Sequence, residues 1–91
     1  MSQRIYFLVH GRVQGVNFRN FTQREATKLE VTGWCRNTDS EQVEGEAQGT
    51  SNAIKQFLVA IDQGPRHAHV VRLDKEPRDV IDGEVQFVVR R

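Results

Sequence analysis

The sequence of 91 residues has a single cysteine, two prolines, no long apolar run and almost no excess of charge of either sign. No apolar stretch, Ile5-Tyr6-Phe7-Leu8-Val9 included, approaches the ~20 residues that cross a bilayer, which predicts no membrane segment. No charged, apolar and small-residue succession of the signal-peptide kind is present, and Cys35 has no second thiol to pair with inside the chain. These absences predict a monomeric cytoplasmic protein. Thirteen Lys and Arg residues against 12 Asp and Glu leave a net charge of +1, without the basic excess that a phosphate backbone requires, so nucleic acid is not the expected partner. The length accommodates one core and predicts a single domain over 1–91. A hydrophobic content of 37% argues for a folded chain rather than a disordered one.

What the sequence does hold is periodicity. Residues 4–10 read as a strand with Ile5, Phe7 and Val9 on one face, running into the glycine-bracketed loop Gly11-Arg12-Val13-Gln14-Gly15. From 17 to about 31, Phe18, Phe21, Ala26 and Leu29 share an arc of roughly 140°, the apolar stripe of a helix. Residues 32–38 and 42–48 predict two strands around Asp39-Ser40-Glu41. In the second, Val43, Gly45 and Ala47 alternate with Gln42, Glu44, Glu46 and Gln48, leaving one face to water. Ile54, Phe57, Leu58 and Ile61 at i, i+3, i+4 and i+7 predict a second helix, with Thr50 or Ser51 as its N-cap and Gly64-Pro65 as its stop. Residues 69–75 and 84–90 read as strands, the last with Val85, Phe87 and Val89 on one face. A polar, turn-rich segment with Pro77 and Asp82-Gly83 separates them. The order βαββαβ plus a C-terminal strand predicts an α+β, ferredoxin-like α/β sandwich, a mainly antiparallel sheet with two helices on one face. Such a fold hosts many functions, so the site must decide.

The 11–19 segment, Gly-Arg-Val-Gln-Gly-Val-Asn-Phe-Arg, leads into a helix. Its successive N–H groups can curl into an anion-sized concavity at the positive end of the helix dipole. Gly15 suits a positive φ there, and Arg19 in the first helical turn can bring a planar guanidinium to the same anion. The glycine spacing equally fits a tight strand-to-helix turn with Arg12 and Arg19 merely solvated. It is not a P-loop, because Gly15 is not followed by Lys and Ser or Thr. Cys35 is not the nucleophile of a Cys-x5-Arg phosphatase, because position 41 is Glu, and no Asp-x-Asp pair offers an aspartyl-phosphate route. Strand parity puts Asn37 on the side of Cys35, at the strand's far end. Locally it fits a residue that serves the hairpin turn. His67 and His69 share a strand face without a Cys or adjacent carboxylate, so no metal site is expected. His10 adjoins the loop and reads as structural or solvated. The strand at 42–48 has no aromatic residue and exposes Glu44 and Glu46, the reverse of an RNA-stacking platform.

As a whole, Gly11-Arg12-Val13-Gln14-Gly15-Val16-Asn17-Phe18-Arg19 resembles the first signature of the acylphosphatase family. Gly33-Trp34-Cys35-Arg36-Asn37-Thr38, with Val43-Glu44-Gly45 and Gly49, resembles its second, and Gly64-Pro65-x-x-Ala68-x-Val70 the segment after helix two. The resemblance covers nearly the whole chain. It implies a metal-independent hydrolase, without a cofactor, that cleaves the carboxyl–phosphate bond of acyl phosphates to a carboxylate and inorganic phosphate. It implies phosphate contacts from Gly11, Gln14, Gly15, Val16, Asn17 and Phe18, with Arg19 and Asn37 as the catalytic residues, one gripping phosphate and the other positioning water. Inorganic phosphate is then a product and an expected competitive inhibitor. An anion-sensing module on the same fold is the rival reading, and turnover separates the two. Glu30 and Glu41 stand where the family commonly has glycine, which predicts local strain or an altered turn.

Overall fold

The computed structural model describes residues 2–13 and 17–90. Seven elements follow in the order β1 (Ser2–Arg12), α1 (Phe18–Lys28), β2 (Thr32–Asn37), β3 (Val43–Thr50), α2 (Ser51–Gln63), β4 (His69–Arg78) and β5 (Phe87–Val89). The strands form one sheet ordered β4-β1-β3-β2-β5, in which only the β2–β5 pair is parallel. Helix α1 packs over β2 and β5, and α2 over β1, β3 and β4. Both helices cover one face, as the alternation predicts for a ferredoxin-like sandwich.

The core lies between that face and the helices. Ile5, Phe7 and Val9 of β1 meet Val43 and Ala47 of β3, Cys35 of β2, and Ile54, Phe57 and Ile61 of α2. The Phe57 ring joins Phe7 edge-on at 5.5 Å and Phe87 at 5.9 Å, offset arrangements that aromatic quadrupoles favour. The buried stripe of α1 is Phe18, Thr22 and Ala26, not the all-apolar set that periodicity suggested. Thr22 is buried because its hydroxyl donates back to the Phe18 carbonyl at 2.9 Å, which removes the cost of an unpaired polar group.

The boundaries differ from the sequence reading for identifiable reasons. Helix α1 stops at Lys28 rather than near 31, because Glu30 takes a left-handed φ of 60°. Val31 N–H then reaches the Ala26 carbonyl at 2.8 Å and Glu30 N–H the Thr27 carbonyl at 3.2 Å, the two bonds of a Schellman stop. β4 continues through Pro77 to Arg78; it is an edge strand, where a missing N–H breaks no outer ladder. β5 has only three residues instead of the seven expected, because only Gly33, Trp34 and Cys35 of β2 pair with it. Val85 therefore lies outside the strand and is 84% exposed.

On the open face, expected to be largely solvated, a polar net buries one charged residue. Arg4, only 2% exposed, donates to Glu46 at 2.6 Å, Glu84 at 2.8 Å and Gln48 at 3.1 Å. Burial works against its charge, but the Glu84 and Glu46 hydrogen bonds outweigh it and hold the guanidinium's pKa above its ordinary value.

Candidate active site

The site is built from the ends of β1 and β2 and the start of α1. β1 does not end at His10 but runs through Gly11 and Arg12, which pair with Val70 and His69 of β4 after a bulge between His10 and Gly11. Gly11 has φ 129°, and a Cβ there would lie 2.0 Å from the His69 carbonyl oxygen. Close approach of two backbones thus accounts for this glycine on structural grounds. Gln14, Gly15 and Val16 lie outside the described residues. The positive φ just before α1 falls on Asn17, at 64°.

Asn17 is the N-cap of α1, yet its side chain makes no capping bond to the helix backbone; its Oδ1 instead accepts from the Asn20 amide at 2.7 Å. The first backbone bond of the helix is Phe21 N–H to the Asn17 carbonyl at 3.1 Å. The N–H groups of Phe18, Arg19 and Asn20 therefore have no intrahelical acceptor. No acidic side chain in the first turn offsets the dipole. Phe18 contributes only backbone here, because its ring is 1% exposed and sits in the core.

Arg19 occupies the first turn of α1 and is half-buried. Its Nη1 lies 3.4 Å from the Arg90 carbonyl, a long contact that commits little of the fork. Its own carbonyl accepts from the Cys35 thiol at 3.8 Å, so the start of α1 rests on β2. Burial pushes the Cys35 thiol up to about 12, against the opposing pull of the Arg19 charge. Cys35 is a small core residue.

Asn37 closes β2 on the helix-facing parity and is half-buried. Val43 pairs with both Asn37 and Val9, so Asn37 stands level with Val9 of β1, about two strand spacings away. Among the described residues, no side-chain hydrogen bond engages its amide, and no buried side-chain polar atom is left unpaired. The amide is open to solvent and uncommitted.

The hairpin after Asn37 turns with Glu41 N–H on the Thr38 carbonyl at 3.1 Å and Thr38 N–H on the Gln42 carbonyl at 2.8 Å. Glu41 takes φ 64°, the left-handed position that ends a three-residue hairpin loop. This fold brings Glu41 beside β1, where it lines a recess of about 360 Å³ with Gly11, Arg12 and Val13. The sequence reading keeps Glu41 clear of the site; its place in a recess with Gly11 corrects that, because nothing local signals a contact across thirty residues. No group of three or more His, Cys, Asp or Glu side chains able to hold a metal occurs among the described residues. Among the described residues no helix is long and apolar enough to cross a membrane.

Comparison with known proteins follows the same outline. The family model described as Acylphosphatase matches residues 5–89. The chain is 48% identical over 85 residues to an acylphosphatase of Geobacillus kaustophilus, covering 93% of this chain and 90% of that one. It is 44% identical over 90 residues to one of Salinibacter ruber, covering 99% and 95%. Among solved structures, the crystal structure of acylphosphatase from Bacillus subtilis superposes with a TM-score of 0.93 at 34% identity, over the full length of both chains.

Proposed function

The chain belongs to the acylphosphatase family, and from that premise we propose that it hydrolyses acyl phosphates without a metal or cofactor, through Arg19, Asn37 and the backbone of the 11–18 segment. The observation that carries this reading is an uncommitted, solvent-open Asn37 amide at the far end of β2, level with Val9 of β1. The first three N–H groups of α1 have no intrahelical acceptor, and no acidic side chain lies in its first turn. Backbone N–H groups of Gly11, Gln14, Gly15, Val16, Asn17 and Phe18 would hold the phosphoryl oxygens at the positive end of the helix. The Arg19 guanidinium, loosely held in the present geometry, would turn onto the same anion in a two-pronged grip.

The chemistry then needs little more. The leaving group is a carboxylate, whose conjugate acid has a pKa of ~4, so it departs at neutral pH without a general acid. Water held by Asn37 attacks phosphorus; the P–O bond to the acyl group breaks, and its electron pair leaves with the carboxylate. The water's proton passes to a phosphoryl oxygen, giving inorganic phosphate. Asn cannot act as base, so its part is orientation. Positioning and charge stabilisation are what phosphoryl transfer chiefly demands. The expected partners are a small acyl phosphate and product phosphate, with the protein working as a cytoplasmic monomer of one domain.

Benzoyl phosphate hydrolysis followed with and without EDTA tests this. Turnover should be unchanged by chelation, and inorganic phosphate should inhibit competitively. Activity lost in EDTA and restored by a divalent ion would overturn the metal-free mechanism, because a metal-activated water would then be required.

A further inference from the structure

His10 joins three strands at the point where β1 bulges. Its Nε2 lies 2.8 Å from Asp74 Oδ2 on β4, and its Nδ1 2.6 Å from the side-chain amide nitrogen of Gln42, the residue before β3. One tautomer satisfies both contacts: Nε2–H donates to Asp74, and Nδ1 accepts from Gln42. Arg72 on β4 closes the cluster through Asp74, its Nε 3.1 Å from Oδ1 and its Nη2 3.2 Å from Oδ2; the 3.1 Å approach of Nη2 to His10 Nε2 brings two donors together in this tautomer and is no hydrogen bond. The charged groups facing the imidazole from β4 are therefore Asp74 and Arg72. On the β3 side the next charged group, Glu44, is already engaged by Tyr6 and Arg36. The His10 hydrogen bond is the main reason that the Asp74 carboxyl lies below its ordinary pKa.

Gln42 extends this cluster to the site. Its N–H donates to Thr38 Oγ1 at 3.1 Å and its carbonyl accepts from Thr38 N–H at 2.8 Å. Thr38 directly follows Asn37. We propose that neutral His10 is a positioning residue for the reaction, holding the Gln42 amide and through it the 38–42 turn that sets the height of Asn37. This inference rests on the acyl phosphate reading above. Protonation converts Nδ1 from acceptor to donor, so it faces the Gln42 amide N–H groups and loses that bond until the amide turns over. An imidazole is the side chain whose charge ordinarily changes near neutral pH, whereas a carboxamide such as that of Asn37 carries no titratable proton there. The pH response of the enzyme's own machinery near neutral pH is assigned to His10.

Two substitutions separate the ring's two contacts. Asn at position 10 keeps a polar atom where Nδ1 stood, and Gln keeps one where Nε2 stood. On benzoyl phosphate, His10→Asn should retain the parent's high-pH kcat to within about 3-fold, whereas His10→Gln should lose about 10-fold in kcat with little change in KM, since small misplacement at a reacting centre costs on that scale. The ratio of parent kcat to His10→Asn kcat should rise between pH 5 and 8, substrate ionisation cancelling in the ratio. A ratio constant across that range, or equal kcat values for the two variants, would overturn the proposal. A second readout needs no turnover: the Asn37 side-chain amide resonances should move with the His10 ring as pH changes, and cease to do so in His10→Asn. Absence of that movement in the parent overturns the relay even if a variant fails to fold. A folded parent inactive on every acyl phosphate, with the coupled movement intact, would overturn the proposed function and leave the relay standing.

Discussion

On the proposed reaction, Arg19 and Asn37 part company when each is removed. Arg19 meets the phosphoryl group in ground and transition states alike, whereas Asn37 acts on the attacking water. Asn37→Ala should lower kcat about 100-fold, the scale for losing one positioned group, while inorganic phosphate still raises the melting temperature through linkage. Arg19→Ala should lose both turnover and phosphate protection, and Arg19→Lys should recover little, because an ammonium restores charge without the fork. Melting curves with and without phosphate, beside steady-state kinetics of cooperatively unfolding variants, check this. Near-normal turnover in Asn37→Ala would remove it from the site; full phosphate protection in Arg19→Ala would move the anion elsewhere.

Two elements end on glutamates that hold a conformation better suited to glycine. Glu30 completes the stop of α1 and Glu41 the β2–β3 hairpin, at φ 60° and 64°. Neither side chain forms an ion pair within the described residues, so little is lost on its removal. A left-handed residue with a Cβ costs about 1–2 kcal/mol, and the added freedom of glycine in the unfolded chain returns less than that. Glu30→Gly and Glu41→Gly should each stabilise by about 0.5–1 kcal/mol, a few degrees in Tm for a chain of this size. Denaturant midpoints that fall at both positions would contradict the left-handed geometry. Helix α2 shows the opposite case, agreement between local signal and structure: Thr50 caps it by accepting from Ala53 N–H at 3.1 Å, and Gly64 follows its end at φ 71°.

For the molecule as a whole, the two faces of the sheet set a window of pH stability. Burial pushes Tyr6 from 10.0 to about 12, with its hydrogen bond to Glu44 acting in the same direction, and burial raises Cys35 from 9.0 to about 12. A raised folded pKa gives stability that is fully present below the unfolded value and is lost as pH climbs towards the folded one. Tm should therefore decline from about pH 9 upward, and less steeply in Tyr6→Phe and Cys35→Ala. At the acid end burial raises the Glu44 pKa, but hydrogen bonds from Tyr6 and Arg36 prevail and leave it below 4.5. Its contribution is present above 4.5 and disappears as pH falls through the lower folded value. Thermal scans from pH 3 to 11 check both limbs, and an unchanged alkaline slope in both variants would refute the assignment. The sequence by itself determined the order of elements, the helix-facing residues of β1 and β3, the second helix with its cap and stop, and membership of the acylphosphatase family. Each of these is written in periodicity or in a contiguous motif. Tertiary structure alone decided that Gly11 serves contact with His69, that β5 is three residues long, that Arg4 is buried under Glu46 and Glu84, and that Asn37 is level with Val9 of β1. These depend on strands far apart in the chain meeting in one register, and local spacing carries no record of which pairs will meet.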